Sequence, residues 1–183
     1  RQIWSRNCVA IGLAAGFLEP LESTAIHLIQ SGVSRLLSLF PDLGFDPAVI
    51  EEYNRNTRRE YEQVRDFLVL HYRTIERRDT PFWRRCAALA PPESLRRKLE
   101  IFTATGQIFR EGEDLFTEQS WLQVMVGQGI LPRRHHPLAD SLPREKLEEF
   151  LSSIRTLIGG AVGQMHSHER FIGEHCAVEG FRA

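Results

Sequence analysis

Charge of a dominant sign is missing from this chain: 23 basic side chains stand against 24 acidic ones, giving a formal net charge of −1. That balance excludes a strong electrostatic footprint for nucleic acid or an anionic membrane surface. Long apolar runs are missing as well. The longest, Cys8 to Leu18, is broken by Gly and Ala and is too short to cross a bilayer. Cysteine is scarce: Cys8, Cys86 and Cys176 are odd in number, widely spaced and form no CxxC motif. They provide no disulfide framework, and a reducing cytoplasm is the expected compartment. Repeats and low-complexity tracts are also lacking. What remains is 183 residues, 42% of them hydrophobic, enough to bury one domain-sized core.

Residues 1–10 read as a short strand already in mid-sheet, and a lone strand needs neighbours to satisfy its backbone. Nothing downstream offers several, so the chain is expected to be the C-terminal part of a longer protein. Beyond that strand the pattern is helical. Ile26, Ile29, Val33, Leu36, Leu37 and Phe40 recur at helical spacing up to Pro41. Asp46-Pro47 supplies an N-cap followed by Pro at the first helical position, opening a long helix through Tyr53, Tyr61, Val64 and Phe67 to about Ile75.

Asp79-Thr80-Pro81 starts a short helix with Phe82 and Trp83. Pro91-Pro92-Glu93-Ser94 opens another, with Gly106 as its stop, and Gln107 to Leu115 is irregular. Thr117 leads a helix carrying Trp121, Val124 and Met125, which read as core. A proline-rich connector follows, and Pro143 opens the last long helix, weakened by Gly159, Gly160 and Gly163. The tail from Cys176 is expected to be loose. The fold class is mainly α, with one short N-terminal strand; the boundary is placed at residue 20, with 21–183 as a helical domain.

Several tempting clusters have simpler explanations. His166 and His168 fall on different faces of a helix, and with His175 and Cys176 they lack metal-ligand spacing, so no metal is expected. Arg55, Arg58, Arg59 and Arg65 alternate with Glu51, Glu52, Glu60 and Glu62 and read as a solvated helix face. His135-His136-Pro137 reads as a polar loop.

The chemistry concentrates between Asn7 and Ala25. Small residues from Gly12 to Gly16 leave the backbone open to a flat cofactor, although they could instead merely allow close strand–helix packing. The helix start at Glu22-Ser23-Thr24 presents free N–H groups and a positive dipole end, which suit an anion. Glu22 lies at that same turn, where a carboxylate could also simply stabilise the helix dipole.

The string Val9-Ala-Ile-Gly-Leu-Ala-Ala-Gly-Phe-Leu-Glu-Pro-Leu-Glu-Ser-Thr24 closely resembles a flavin-site segment of the flavin-dependent tryptophan halogenases. Asp79-Thr-Pro-Phe-Trp-Arg84 and Trp121-Leu-Gln-Val-Met-Val-Gly-Gln-Gly-Ile-Leu-Pro132 agree in order and rough spacing. The resemblance implies the C-terminal helical domain of such an enzyme, with its strand left from the FAD-binding domain. It implies reduced FAD supplied by a separate flavin reductase, oxygen, chloride or bromide, and an aromatic substrate attacked by hypohalous acid.

Site roles follow from the same resemblance. Glu22 matches the catalytic glutamate, and Ser23 would orient it. The amides of Thr24 and Ala25 would hold halide, and Leu13 and Ile26 would line the flavin ring. His71, Tyr72, Arg78, Phe82 and Trp83 fall where the substrate is gripped; Phe82 and Trp83 could instead be core anchors.

Two positions depart from the family pattern. Ala25 replaces a Gly, which matters only if the backbone there demands one. Arg78 stands where an acidic residue would grip an ammonium, so the substrate is expected to be an indole, a carrier-bound or peptidic group, or another electron-rich aromatic, and not free tryptophan. The family's GxGxxG fold, catalytic lysine and paired-tryptophan motif have no match here, and Lys98 and Lys146, the two lysines present, are assigned to polar helix faces. The chain alone is therefore expected to be inactive and to self-associate as a homo-oligomer. The alternative is a non-catalytic helical oligomerisation or partner-binding module that retains a relic flavin segment.

Overall fold

The computed structural model describes residues 2–112 and 114–176. It divides into two compact units, one reaching His135 and the other starting at His136. In the first, β1 (Trp4–Ser5) pairs antiparallel with β2 (Cys8–Val9), Trp4 opposite Val9. A 3-10 turn at Gly12–Ala14 follows, then α1 (Thr24–Ser38), α2 (Pro47–Thr74), α3 (Pro81–Ala88), α4 (Glu93–Thr105) and α5 (Glu118–Gly127). The expected boundary at residue 20 falls inside this unit.

Capping chemistry sets the helix limits where the sequence placed them. Asp46 accepts from the Ala48 amide at 2.8 Å, with Pro47 as the first helical residue of α2. Thr80 and Thr117 accept from the Trp83 and Ser120 amides and open α3 and α5. Gly106 ends α4 in the left-handed conformation at φ 72°, donating to the Phe102 carbonyl at 2.8 Å.

The organising element is α2. Its 28 residues span about 42 Å at the α-helical rise, and it packs against α1, α3, α4, α5 and β1. The core gathers on it: Val64, Phe67, Leu68 and Leu70 meet Leu28, Leu95, Phe102, Phe116, Trp121 and Met125. Phe67 is the hub, stacked on Phe116 at 3.8 Å and edge-on to Trp121 at 4.8 Å. The core assignment of Trp121 and Met125 holds, both being fully buried, with Val124 packed beside them.

Four expectations change. The strand expected to lie in mid-sheet is half of a two-stranded hairpin. Its inner edge is satisfied by one side chain: Asn54 Oδ1 accepts from the Ile3 and Trp4 amides at 2.8 and 2.7 Å, and its Nδ2 donates to the Trp4 carbonyl at 2.9 Å. A primary amide carries both a donor and an acceptor, so it can replace a neighbouring strand.

The apolar face read from Ile26, Ile29, Val33 and Leu37 is exposed, and α1 instead buries Thr24, Leu28 and Gly32. The bare Gly32 admits Tyr53, whose hydroxyl donates to the Gly32 carbonyl at 3.3 Å. Polar groups complete the contact: Arg35 donates to Thr57 at 2.7 Å and to Glu60 at 3.0 Å, and His27 Nε2 lies 3.0 Å from Glu60. The acidic and basic residues of α2 are thus not all solvated.

Lys98 also leaves the polar face assigned to it. Its side chain is largely buried, with the ammonium 3.5 Å from buried Asp114 and 4.3 Å from the centre of the Trp121 ring.

The second unit contains a 3-10 turn at Pro137–Ser141, α6 (Arg144–Gln164) and α7 (His168–His175). Gly159, Gly160 and Gly163 do not interrupt α6, and its Phe150, Leu157 and Ile158 are exposed. His166, before α7, lies 3.1 Å from Glu174. The tail expected to be loose lies, beyond Cys176, outside the described residues.

Candidate active site

Backbone geometry shapes the segment from Ile11 to Ala25. Ile11 is extended and Gly12 turns the chain at φ +60°, in the left-handed region that favours glycine. A Cβ on Gly12 would stand 2.5 Å from Ile29 Cγ1, and one on Gly16 would stand 3.1 Å from the Tyr61 ring. Packing within the chain thus accounts for both glycines. Leu13 and Ile26 remain exposed.

The loop closes at Ser23, whose amide donates to the Pro20 carbonyl at 2.9 Å. Ser23 itself is left-handed (φ 54°, ψ 32°) and its hydroxyl caps nothing in α1. A non-glycine residue held there stores on the order of 1 kcal/mol of strain. The helix begins at once with Thr24 and Ala25, whose amides precede the first intrahelical donors. Ala25 has ordinary helical backbone, so no glycine is required at that position.

Glu22 sits on the turn before this strained residue. Its carboxylate is about one-third exposed and lies 3.2 Å from His71 Nε2, on α2. The structure thus brings Glu22 together with His71, a substrate-side candidate, across 3.2 Å. The second ring nitrogen of His71 is 2.8 Å from the Phe67 carbonyl, and the ring stands edge-on to Phe67.

The remaining substrate candidates form an aromatic patch. Tyr72 and Trp83 stack at 6.0 Å, and Phe82 stands edge-on to Trp83 at 4.8 Å. Phe82 is 57% exposed, so it is not a core anchor. Arg77 lies over Trp83 at 4.9 Å. Arg78 folds back onto its own loop, donating to the Ile75 and Arg77 carbonyls. Two open grooves, about 790 and 960 Å³, lie elsewhere: neither is lined by Glu22, His71 or Trp83.

The sequence reading missed Glu19 and the collective role of the tyrosines. All three tyrosines of the chain lie on α2 and donate to the preceding segment: Tyr53 to Gly32, Tyr61 to the Gly12 carbonyl at 2.8 Å, and Tyr72 to Glu19 Oε2 at 2.6 Å. Burial pushes the Tyr53 and Tyr61 hydroxyls above their ordinary 10.0, and the Glu19 carboxylate accepting from Tyr72 does the same there. A signal was available. Spacings of 8 and 11 residues confine these tyrosines to a face about 100° wide, and His71 lies five turns below Tyr53 on it.

A family profile described as tryptophan halogenase matches residues 1–144. The chain belongs to the tryptophan halogenase family. It is 33% identical over 165 residues to the tryptophan 6-halogenase ThaL of Streptomyces albogriseolus, covering 82% of this chain and 31% of that protein. The flavin-dependent halogenase Xcc4156 from Xanthomonas campestris superposes with a TM-score of 0.92 at 48% identity, over 97% of this chain and 36% of its own. BrvH, a flavin-dependent halogenase from Brevundimonas sp. BAL3, gives 0.90 at 44% identity, over 94% and 35%. The chain thus spans about a third of the length of the relatives it matches. Among the described residues no helix is long and apolar enough to cross a membrane.

Proposed function

We propose that this chain supplies the glutamate side of a flavin-dependent halogenation site, within a protein that chlorinates or brominates an indole or a similar electron-rich aromatic. The observation that carries this reading is Glu22, held on a strained turn at an uncapped helix start and facing His71. Reduced FAD, with oxygen and halide, would supply the electrophilic halogen. A separate flavin reductase would deliver that flavin, and a catalytic lysine would come from outside this chain.

The residues here fit those partners. Exposed Leu13 and Ile26 offer apolar contact to a flat ring system, and the Thr24 and Ala25 amides offer donors to a halide. Glu22 can accept a hydrogen bond or a proton beside the reacting carbon. The Tyr72–Phe82–Trp83 patch suits an aromatic substrate. Arg78, a cation where an ammonium would need an acidic partner, supports the choice of an uncharged indole over an amino acid.

The test is direct. The full-length protein carrying this chain, given FAD, a flavin reductase, bromide and indole, is expected to form monobrominated indole, read by its bromine isotope doublet in mass spectrometry. No brominated product from a flavin-loaded protein, across several electron-rich aromatics, would favour a non-catalytic helical module instead.

A further inference from the structure

Resting on that reading of Glu22, we propose that His71 is the positioning residue that fixes the Glu22 carboxylate, through one proton held between them. Three observations carry the inference. Glu22 Oε1 lies 3.2 Å from His71 Nε2. The opposite nitrogen, Nδ1, faces the Phe67 main-chain carbonyl at 2.8 Å. The imidazole is largely buried, at 18% side-chain exposure, and braced edge-on by Phe67, itself the centre of the core.

The proton count follows from these partners. A carbonyl oxygen only accepts, so Nδ1 must carry a hydrogen. That leaves Nε2 with a lone pair in a neutral ring, and a lone pair cannot face an ionised carboxylate favourably. The contact is attractive when one further proton sits on the pair, either on Nε2 or on Glu22. In both forms the carboxyl oxygen is tied to a ring that is anchored to α2, and therefore to the core.

Ser23 cannot substitute for this, since its hydroxyl makes no capping bond and its backbone is already strained. Without His71 the Glu22 side chain, on an exposed turn, would sample several rotamers. His71 thus serves the carboxylate and is not a wall of the substrate pocket.

The two ring nitrogens can be mimicked separately. In His71→Gln the amide nitrogen reaches the place of Nε2, whereas in His71→Asn it reaches only the place of Nδ1. Steady-state bromination of indole by the full-length protein should show kcat falling about 100-fold in His71→Asn, the scale of a small misplacement of a reacting group. KM for indole should be little changed. His71→Gln should recover most of the rate, and His71→Asn should add nothing to Glu22→Gln.

A second readout is independent of turnover. In protein labelled with 15N at histidine, the Nε2 resonance of His71 should move in Glu22→Gln while Nδ1 keeps its proton. A His71 ring unaffected by Glu22→Gln would overturn the pairing. A rise in KM alone, or full activity in His71→Asn beside an inactive Glu22→Gln, would overturn the positioning role. Full activity in Glu22→Gln would instead overturn the underlying reading of Glu22.

Discussion

Replacing Glu22 with Gln is expected to lower halogenation of the aromatic substrate by about 100- to 10 000-fold, the span contributed by a positioned acid–base group. The substitution keeps the size and nearly the shape of the side chain, so the turn before α1 should survive it. The carboxylate is about one-third exposed, and its favourable place near the helix start is worth only about 0.3–1 kcal/mol. Unfolding therefore cannot explain a loss of that size. Flavin binding, proposed to involve Leu13 and Ile26, should be unaffected. Initial rates of bromoindole formation, measured at matched flavin occupancy, check the expectation. A variant as active as the parent would remove Glu22 from the reaction.

Gly12→Ala is expected to have the largest structural effect of any single methyl addition in the segment. Its φ of +60° disfavours any residue with a Cβ, a penalty of about 1–2 kcal/mol. The added carbon would also stand 2.5 Å from Ile29 Cγ1, an atom one bond from the Cβ branch point and so held near the α1 backbone. Overpacking of this kind costs about 1–3 kcal/mol. The sum, on the order of 2–5 kcal/mol, is a large share of ordinary domain stability. The displaced carbonyl would also strain the Tyr61 hydrogen bond. Denaturant unfolding midpoints give the comparison, with Gly159→Ala as control: it is helical with open space around it, and should be neutral or stabilising by up to about 1 kcal/mol. A Gly12→Ala protein as stable as its parent would contradict the packing described here.

The helices were legible because local chemistry decides where they start and stop. Asp46-Pro47, Thr80-Pro81, Thr117 and Gly106 act through their own backbone neighbours, so their meaning survives without tertiary context. The orientation of α1 was not legible. Its apolar residues suggested one buried face, but the close approach of Tyr53 to the bare Gly32, reinforced by the Glu60 pairs, chose another. Such a choice depends on a partner helix some twenty residues away and leaves no periodic trace. The first strand failed for a similar reason: its edge is closed by one amide side chain from α2.

Within the candidate site, the Glu22 turn could be read from its string of residues, and the aromatic patch from its neighbours in sequence. The pairing of Glu22 with His71 could not, because it joins positions 49 residues apart, one on the loop before α1 and the other in the last turn of α2. The face shared by His71 and the three tyrosines was present in the spacing, but spacing alone does not say what such a face meets.

Halide, cofactor and carboxylate are proposed to come together at the turn bearing Glu22. Diffraction at the bromine absorption edge, from crystals of the full-length flavin-bound protein soaked in bromide, would locate the halide. An anomalous peak is expected in contact with the Thr24 and Ala25 amide nitrogens, on the helix start that follows Glu22. Bromide bound elsewhere beside the flavin, with no peak at that helix start, would contradict it.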